Sequence, residues 1–264
     1  LISGAGRGIG KRLAIGFASA GAHVGLLARS KAELDLANLE IEHAGGSSLR
    51  LKVDVRDYEQ VSAAVSRMTV QLGAPQILIC AHGAFGSIGT LAETDPAAWT
   101  DAISTNLNGA VNLCRAVLPE MIARRWGKIV LLVGPGAEGP RPNFSAYSAS
   151  QAALVRFAET LAEEVRDHNV QVNCMNPGAT YTSMTDEILR AGEHAGWKEE
   201  QDAAHVRTTG GTAPDKQIQL AQFLSSERSN HISGKLISVN DDWRRLEHAN
   251  AHAEIFTLRR LQKV

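Results

Sequence analysis

Ser3-Gly4-Ala5-Gly6-Arg7-Gly8-Ile9-Gly10 stands between an apolar stub, Leu1-Ile2, and the start of a helical pattern. A chain that turns from strand to helix this abruptly needs backbone angles that glycine adopts most readily. Glycine also lets a phosphate group approach bare backbone. The helix that follows offers unpaired N–H groups and the positive end of its dipole. A glycine-rich run alone is a weak signal, and its place after a strand and before a helix is what strengthens it. The glycines fall as Gly-x-x-x-Gly-x-Gly from Gly4 through Gly8 to Gly10, which differs from the general Gly-x-Gly-x-x-Gly dinucleotide fingerprint.

Outward from this loop, short apolar runs alternate with helical patterns. His23–Ala28, Ser48–Asp54, Gln76–Cys80, Lys128–Val133, Val170–Met175 and Lys235–Val239 read as strands. Most are apolar along their length instead of alternating, as expected of a sheet covered on both faces. Ala152–Arg166 is the clearest helix, with Leu154, Phe157, Leu161 and Val165 on one stripe. Strand–helix alternation implies right-handed crossovers and a parallel sheet. The expected fold is therefore α/β, a doubly wound, Rossmann-type parallel sheet in three layers. It forms a single domain over residues 1–264.

Composition narrows the function. At 264 residues and 44% hydrophobic the chain can bury a large core, and a net charge of −1 supplies no basic surplus for nucleic acid. No apolar run reaches the roughly 18 residues of a membrane span. Leu1 and Ile2 read as the end of a first strand, which implies residues before Leu1. No charged-then-apolar leader is present, and a cytoplasmic setting is expected. Cys80, Cys114 and Cys174 are far apart in apolar contexts and read as reduced, buried thiols. His248 and His252 share a helical spacing but lack a third ligand, so no metal site is expected.

Further landmarks follow the loop in order. They are Asp54-Val55, Cys80-Ala81-His82-Gly83, Asn106 within Thr105-Asn106-Leu107-Asn108-Gly109, Tyr147 within Tyr147-Ser148-Ala149-Ser150-Gln151, and Asn176-Pro177-Gly178 with Thr180 and Thr182. With Gly4, Gly8 and Gly10 they resemble the short-chain dehydrogenase/reductase family from about Leu1 to Asp242. The resemblance implies hydride transfer between a nicotinamide and a carbonyl or alcohol. It implies that Gly4, Arg7, Gly8, Ile9 and Gly10 cradle the pyrophosphate, that Asp54 and Val55 meet the adenine, and that Ala81 and Gly83 line the cofactor. It further implies that Pro177, Gly178, Thr180 and Thr182 fold over the nicotinamide.

The second strand ends Leu27-Ala28-Arg29-Ser30, without the carboxylate that binds a ribose 2′-hydroxyl. Arg29 and Arg7 favour a 2′-phosphate, so NADP is expected over NAD. The family's catalytic groups are a Ser, a Tyr, a Lys four residues beyond it, and an Asn supporting a proton-relay water. The resemblance places Tyr147 and Asn106 on two of these. It places Gly134 at the Ser and Gln151 at the Lys, where Gln151 retains a hydrogen-bonding reach towards the ribose. A cation about 4 Å away contributes on the order of 4 kcal/mol at an effective dielectric near 20, which glutamine cannot supply. A neutral Tyr147 can still donate a proton, so reduction is less impaired than oxidation. His82 offers a second proton donor, though a polar contact to nearby backbone is the favoured reading. Glu138, Arg141, Ser145 and Ser150 read as exposed or capping residues.

Two readings stay open: an NADP-dependent oxidoreductase with a remodelled site, and a catalytically silent dinucleotide binder serving as sensor or partner subunit. The family's habit of pairing through the helices near 97–124 and 148–166 implies a homodimer or tetramer. The polar segment 181–212 breaks the strand–helix rhythm and reads as a substrate loop. Residues 243–264 read as a C-terminal extension, with Ile255, Phe256 and Leu258 packing on the same or a neighbouring subunit.

Overall fold

The apolar runs become strands because both of their faces are covered. β1 (Ile2–Ser3), β2 (His23–Ala28), β3 (Ser47–Lys52), β4 (Ile77–Cys80), β5 (Gly127–Leu132), β6 (Val170–Asn176) and β7 (Leu236–Ser238) form one parallel sheet. Its order is β3-β2-β1-β4-β5-β6-β7. This computed structural model describes residues 1–248 and 257–258. The helices are α1 (Gly8–Ser19), α2 (Lys31–His43), α3 (Tyr58–Leu72), α4 (Pro96–Ile103), α5 (Gly109–Arg124), α6 (Ser145–Glu164), α7 (Ser183–Ala191), α8 (Trp197–Thr209) and α9 (Pro214–Leu224).

Neighbouring residues of one strand serve opposite layers. Leu26 packs with Leu13 and Phe17 of α1, Leu34 of α2 and Leu220 of α9. Leu27 packs with Val61 of α3, Leu113 of α5 and Leu154 of α6. Leu26 and Leu27 are both fully buried. Each such leucine contributes roughly 1.5–3 kcal/mol of hydrophobic stabilisation. The result is a single-domain, three-layer α/β fold.

The helices start where short polar side chains can cap them. Ser30, Asp57 and Asp95 accept from the first-turn N–H groups of α2, α3 and α4. Thr182 and Thr185 form a reciprocal capping box on α7.

Three expectations change. α6 begins at Ser145, seven residues before the apolar stripe announced it. Its first two turns bury Tyr147, Ser150 and Gln151, which point to a site and so escape an apolar periodicity. The strand expected over Ser48–Asp54 ends at Lys52, which leaves Asp54 in the following loop. Most of segment 181–212 is ordered as a hairpin of α7 and α8. α8 read as irregular because it is polar nearly all round, with Ala203 its buried residue.

The start of the C-terminal extension packs on its own chain. Trp243 is buried with its ring 5.1 Å from that of Phe223. Leu258 packs against the α6 side of the core, and its carbonyl accepts from Arg156. Ile255, Phe256 and His252 lie outside the described residues. Cys80, Cys114 and Cys174 are free and buried. Among the described residues no helix is long and apolar enough to cross a membrane, and no group of three potential ligands could hold a metal.

Candidate active site

The sheet order reverses between β1 and β4, and the crevice beyond their C-terminal ends is where such sheets bind ligands. The glycine loop forms one wall of it. A Cβ on Gly10 would lie 2.3 Å from the Gly4 carbonyl oxygen, and one on Gly4 would lie 2.7 Å from that of Ala81. No side chain fits at either place. α1 begins after Arg7 with no side-chain cap and no acidic residue in its first turn. Its terminal N–H groups and dipole are thus left to an anion. The residues present fit a dinucleotide pyrophosphate.

A cavity of about 410 Å³ runs along this wall. Gly4, Arg7, Gly8, Ile9, Arg29, Asp54, Val55, Ala81, Gly83 and Thr182 all line it. Gly10 lies beneath the loop instead. Two charges differ from expectation. Asp54 is not a free carboxylate, because the Arg56 guanidinium grips it at 2.7 Å and holds its carboxyl below the usual range. A carboxylate does stand beyond β2: Glu33 lines the cavity and pairs with Arg7 at 3.3 Å. The absence of a carboxylate immediately after β2 concealed it. Its signal was Ser30-Lys31-Ala32-Glu33, a helix-start pattern that puts the glutamate in the first turn of α2.

His82 sits between the loop and α5. Its Nδ1 is 2.6 Å from the Ser3 hydroxyl, and Nε2 makes no hydrogen bond of ordinary geometry. Burial pulls its pKa down to about 4, against a smaller opposing effect of the Thr105 backbone. The ring is therefore neutral at pH 7, with one N–H and no imidazolium proton to give up. Its closest contact is to the Ser3 hydroxyl of the glycine loop, with the Thr105 backbone also acting on the ring.

A second cavity, of about 450 Å³, continues from the first and shares Ile9, Ala81, His82, Gly83, Thr182 and Met184 with it. Tyr147, Gly134 and Gln151 line this part. Tyr147 is 8% exposed, its ring edge-on to Phe85 at 4.9 Å. Burial pushes its pKa up to about 12, with Arg141 pulling the other way. A Cβ on Gly134 would stand 2.3 Å from the Tyr147 hydroxyl oxygen, so the phenol occupies space that any side chain at 134 would need. Gln151 lines the cavity and spends one acceptor position of its carbonyl on the protein itself. Its Oε1 accepts from the Gly134 N–H at 2.8 Å, and its amide nitrogen approaches Ser150 Oγ at 3.5 Å.

Asn106 lies outside the cavity lining. Its Oδ1 accepts from Ala84 N at 2.8 Å, and its Nδ2 donates to Ala84 O and Ser150 Oγ. The amide thus ties the loop after β4 to α6, and its side chain does not meet the Tyr147 hydroxyl. Asn106 sits in a single wide turn of π-helix over Ser104–Asn108, an irregularity often found at functional sites. Ser145 also leaves the site, its hydroxyl accepting from the Trp99 indole at 3.0 Å. Glu138 is exposed.

The far wall comes from β6 and the helical hairpin. Pro177, Gly178, Thr180 and Thr182 line it. The Gln217 amide fixes this turn by donating to Pro177 O at 2.9 Å and Thr180 Oγ1 at 2.5 Å. Arg141, expected at the surface, is instead a cavity residue. It makes a two-pronged ion pair with Glu199 of α8 at 2.9 and 2.6 Å and lies over the Phe144 ring at 4.0 Å.

Residues 1–192 match the family model for the short chain dehydrogenases. The chain is 31% identical over 242 residues to a gluconate 5-dehydrogenase of Gluconobacter oxydans, covering 91% of this chain and 92% of that protein. It is 34% identical to the oxidoreductase UcpA of Salmonella typhimurium, with 89% of each covered. Its fold matches the crystal structure of a gluconate 5-dehydrogenase from Burkholderia cenocepacia in complex with NADP and tartrate. There the TM-score is 0.78 at 26% identity, over 90% of this chain and 91% of that one. The glycine cradle at the sheet's switch point and these likenesses agree: the chain belongs to the short-chain dehydrogenase family of oxidoreductases.

Proposed function

We propose that the protein is an NADP-dependent reductase of small or medium carbonyl compounds, with Tyr147 as its proton donor and without the family's Ser and Lys. The observation that carries this reading is the place of Tyr147. Tyr147 lines the cavity that continues from the glycine cradle, and burial keeps its hydroxyl protonated. Gly4, Gly8, Ile9 and Gly10 would hold the pyrophosphate against the start of α1. Arg29, with Arg7, would meet the 2′-phosphate. Val55 and Asp54 would flank the adenine, and Ala81, Gly83, Pro177, Gly178, Thr180 and Thr182 the nicotinamide end. Bound there, the dinucleotide supplies the hydride.

Gly134 and Gln151, read as standing for Ser and Lys, bias the site towards reduction at neutral pH. Reduction needs Tyr147 only to give a proton, and its neutral form dominates at every ordinary pH. Oxidation needs tyrosinate, which a pKa near 12 keeps to trace amounts. Asn106 is proposed as a support for the site through its backbone and loop contacts.

The second reading, a silent dinucleotide binder, is favoured by Gln151. Its Oε1 is committed to the Gly134 N–H, and so it offers the ribose little. NADPH oxidation over a panel of aldehydes, ketones and diketones separates the two, run beside a Gly134→Ser/Gln151→Lys double variant. Turnover by the native chain well above background supports the reductase. Turnover by the double variant alone supports the silent binder. Assembly as a dimer or tetramer through α5 and α6 is proposed from the family likeness, and a sedimentation profile of monomer alone would refute it.

A further inference from the structure

Gln151 carries no charge, yet a cation does stand beside Tyr147. Arg141 precedes α6, and its guanidinium carbon is 5.6 Å from the centre of the Tyr147 ring. Phe85 and Phe144 hold it there. The two phenylalanine rings meet edge-on at 5.1 Å, Phe85 meets Tyr147 in the same way at 4.9 Å, and the guanidinium lies 4.0 Å above Phe144. The Arg141 side chain is only 8% exposed, which weakens solvent screening of its charge.

That charge is not free to act in full. Glu199, in the first turn of α8, grips the same guanidinium with both carboxylate oxygens. A two-pronged pair cancels much of the field that either partner casts on a third group. Gly196, just ahead of α8, sits against the amide of Asn143, two residues from Arg141. The start of α8 is therefore seated on the loop that carries the cation.

We propose that Arg141 is a positioning residue for Tyr147, supplying from the ring side the positive charge that Gln151 lacks, and that Glu199 of α8 sets how much of that charge the tyrosine feels. The role rests on Tyr147 being the proton donor. With Glu199 in place the phenol is a weak acid; when α8 draws Glu199 away, Arg141 makes it a stronger one. Binding of substrate beneath α8 would thus be coupled to the acidity of the donor.

The other charged or titratable groups lining this cavity, among the described residues, are His82 after β4 and Lys198, Asp202 and His205 of α8. Lys198 pairs with Asp202 at 3.2 Å, so these two largely offset each other, and His82 is neutral. Arg141 is the cation whose field opposes the effect of burial on Tyr147.

The test needs neither substrate nor turnover. 3-Fluorotyrosine incorporated in place of Tyr147 has a lower intrinsic pKa, which brings its titration into a range where the fold persists, and fluorine NMR reads it directly. Glu199→Gln should lower the midpoint by about half a unit to one unit, a roughly three- to tenfold change in acid constant. Arg141→Met should raise it, and Arg141→Lys, which keeps the charge without the planar fork, should fall between the native chain and Arg141→Met. A midpoint that stays within about 0.2 unit of the native value in Glu199→Gln overturns the proposal. If Arg141→Met does not fold, Glu199→Gln decides alone, because glutamine keeps the size and one hydrogen bond. A shifted midpoint in a protein that turns over no carbonyl leaves the electrostatic coupling standing and defeats the reductase reading instead.

Discussion

The two ends of the cleft are built under different constraints. At the cradle, glycines are required by backbone, since a Cβ on Gly10 would meet the Gly4 carbonyl at 2.3 Å. At the Tyr147 end the same distance separates a Cβ on Gly134 from the Tyr147 hydroxyl, the far end of a side chain that can swing. A carbonyl inside a tight turn cannot yield, whereas a phenol can. One end of the cleft therefore keeps the family pattern, and the other has room to be rebuilt without loss of the fold.

Gly10→Ala and Gly134→Ala set the two ends against each other and should give the largest contrast. Gly10→Ala is expected to weaken NADPH binding at least about a hundredfold and to cost about 2–3 kcal/mol of stability, read by calorimetry and denaturant unfolding. Gly134→Ala should leave NADPH affinity within about threefold and move only the tyrosine, at a cost under about 1.5 kcal/mol. Equal loss of binding in both would end the comparison.

Tyr147→Phe comes next. Carbonyl reduction should fall by about a hundred- to ten-thousandfold with NADPH affinity unchanged. The pH dependence sharpens this. Because burial pushes the phenol's pKa up to about 12, reduction should show no tyrosine titration between pH 6 and 9. Alcohol oxidation, which needs tyrosinate, should climb about tenfold per pH unit up to the limit of the fold. A plateau in oxidation near pH 8 would mean that another group is the base.

The smallest effects lie in the cradle's charges. Arg29→Ala should weaken NADPH by about tenfold and leave NADH almost unchanged, read from titrations of both. Glu33→Gln, which frees Arg7 from its carboxylate, should tighten NADPH by about two- to fivefold. An equal change for NADH would show that neither arginine meets a 2′-phosphate.

Much of the fold was legible because its constraints are local. Runs such as Leu26-Leu27 are apolar on both faces, and the glycine loop sits between a strand and a helix. The helical hairpin was hidden because α8 is polar almost all round, and it is seated by a single buried Ala203 and by the pair that Glu199 makes with Arg141. That contact joins residues 58 positions apart, and no spacing rule reaches so far. The orientation of Gln151 was hidden for a related reason. Its partner is the backbone N–H of Gly134, 17 positions away, which no residue pattern announces. Glu33 was readable in principle from its capping pattern but was masked by the search for a carboxylate at the strand end.

The most direct measurement follows the label from NADPH carrying deuterium at its transferable position, in the native chain and in Tyr147→Phe, with binding measured on the same samples. Both proteins should bind NADPH alike, and the native chain alone should place deuterium on the carbinol carbon of the product at an appreciable rate. Equal label transfer by the two would show that Tyr147 is not the donor. Tight binding with no transfer by either would make the protein a dinucleotide binder without chemistry.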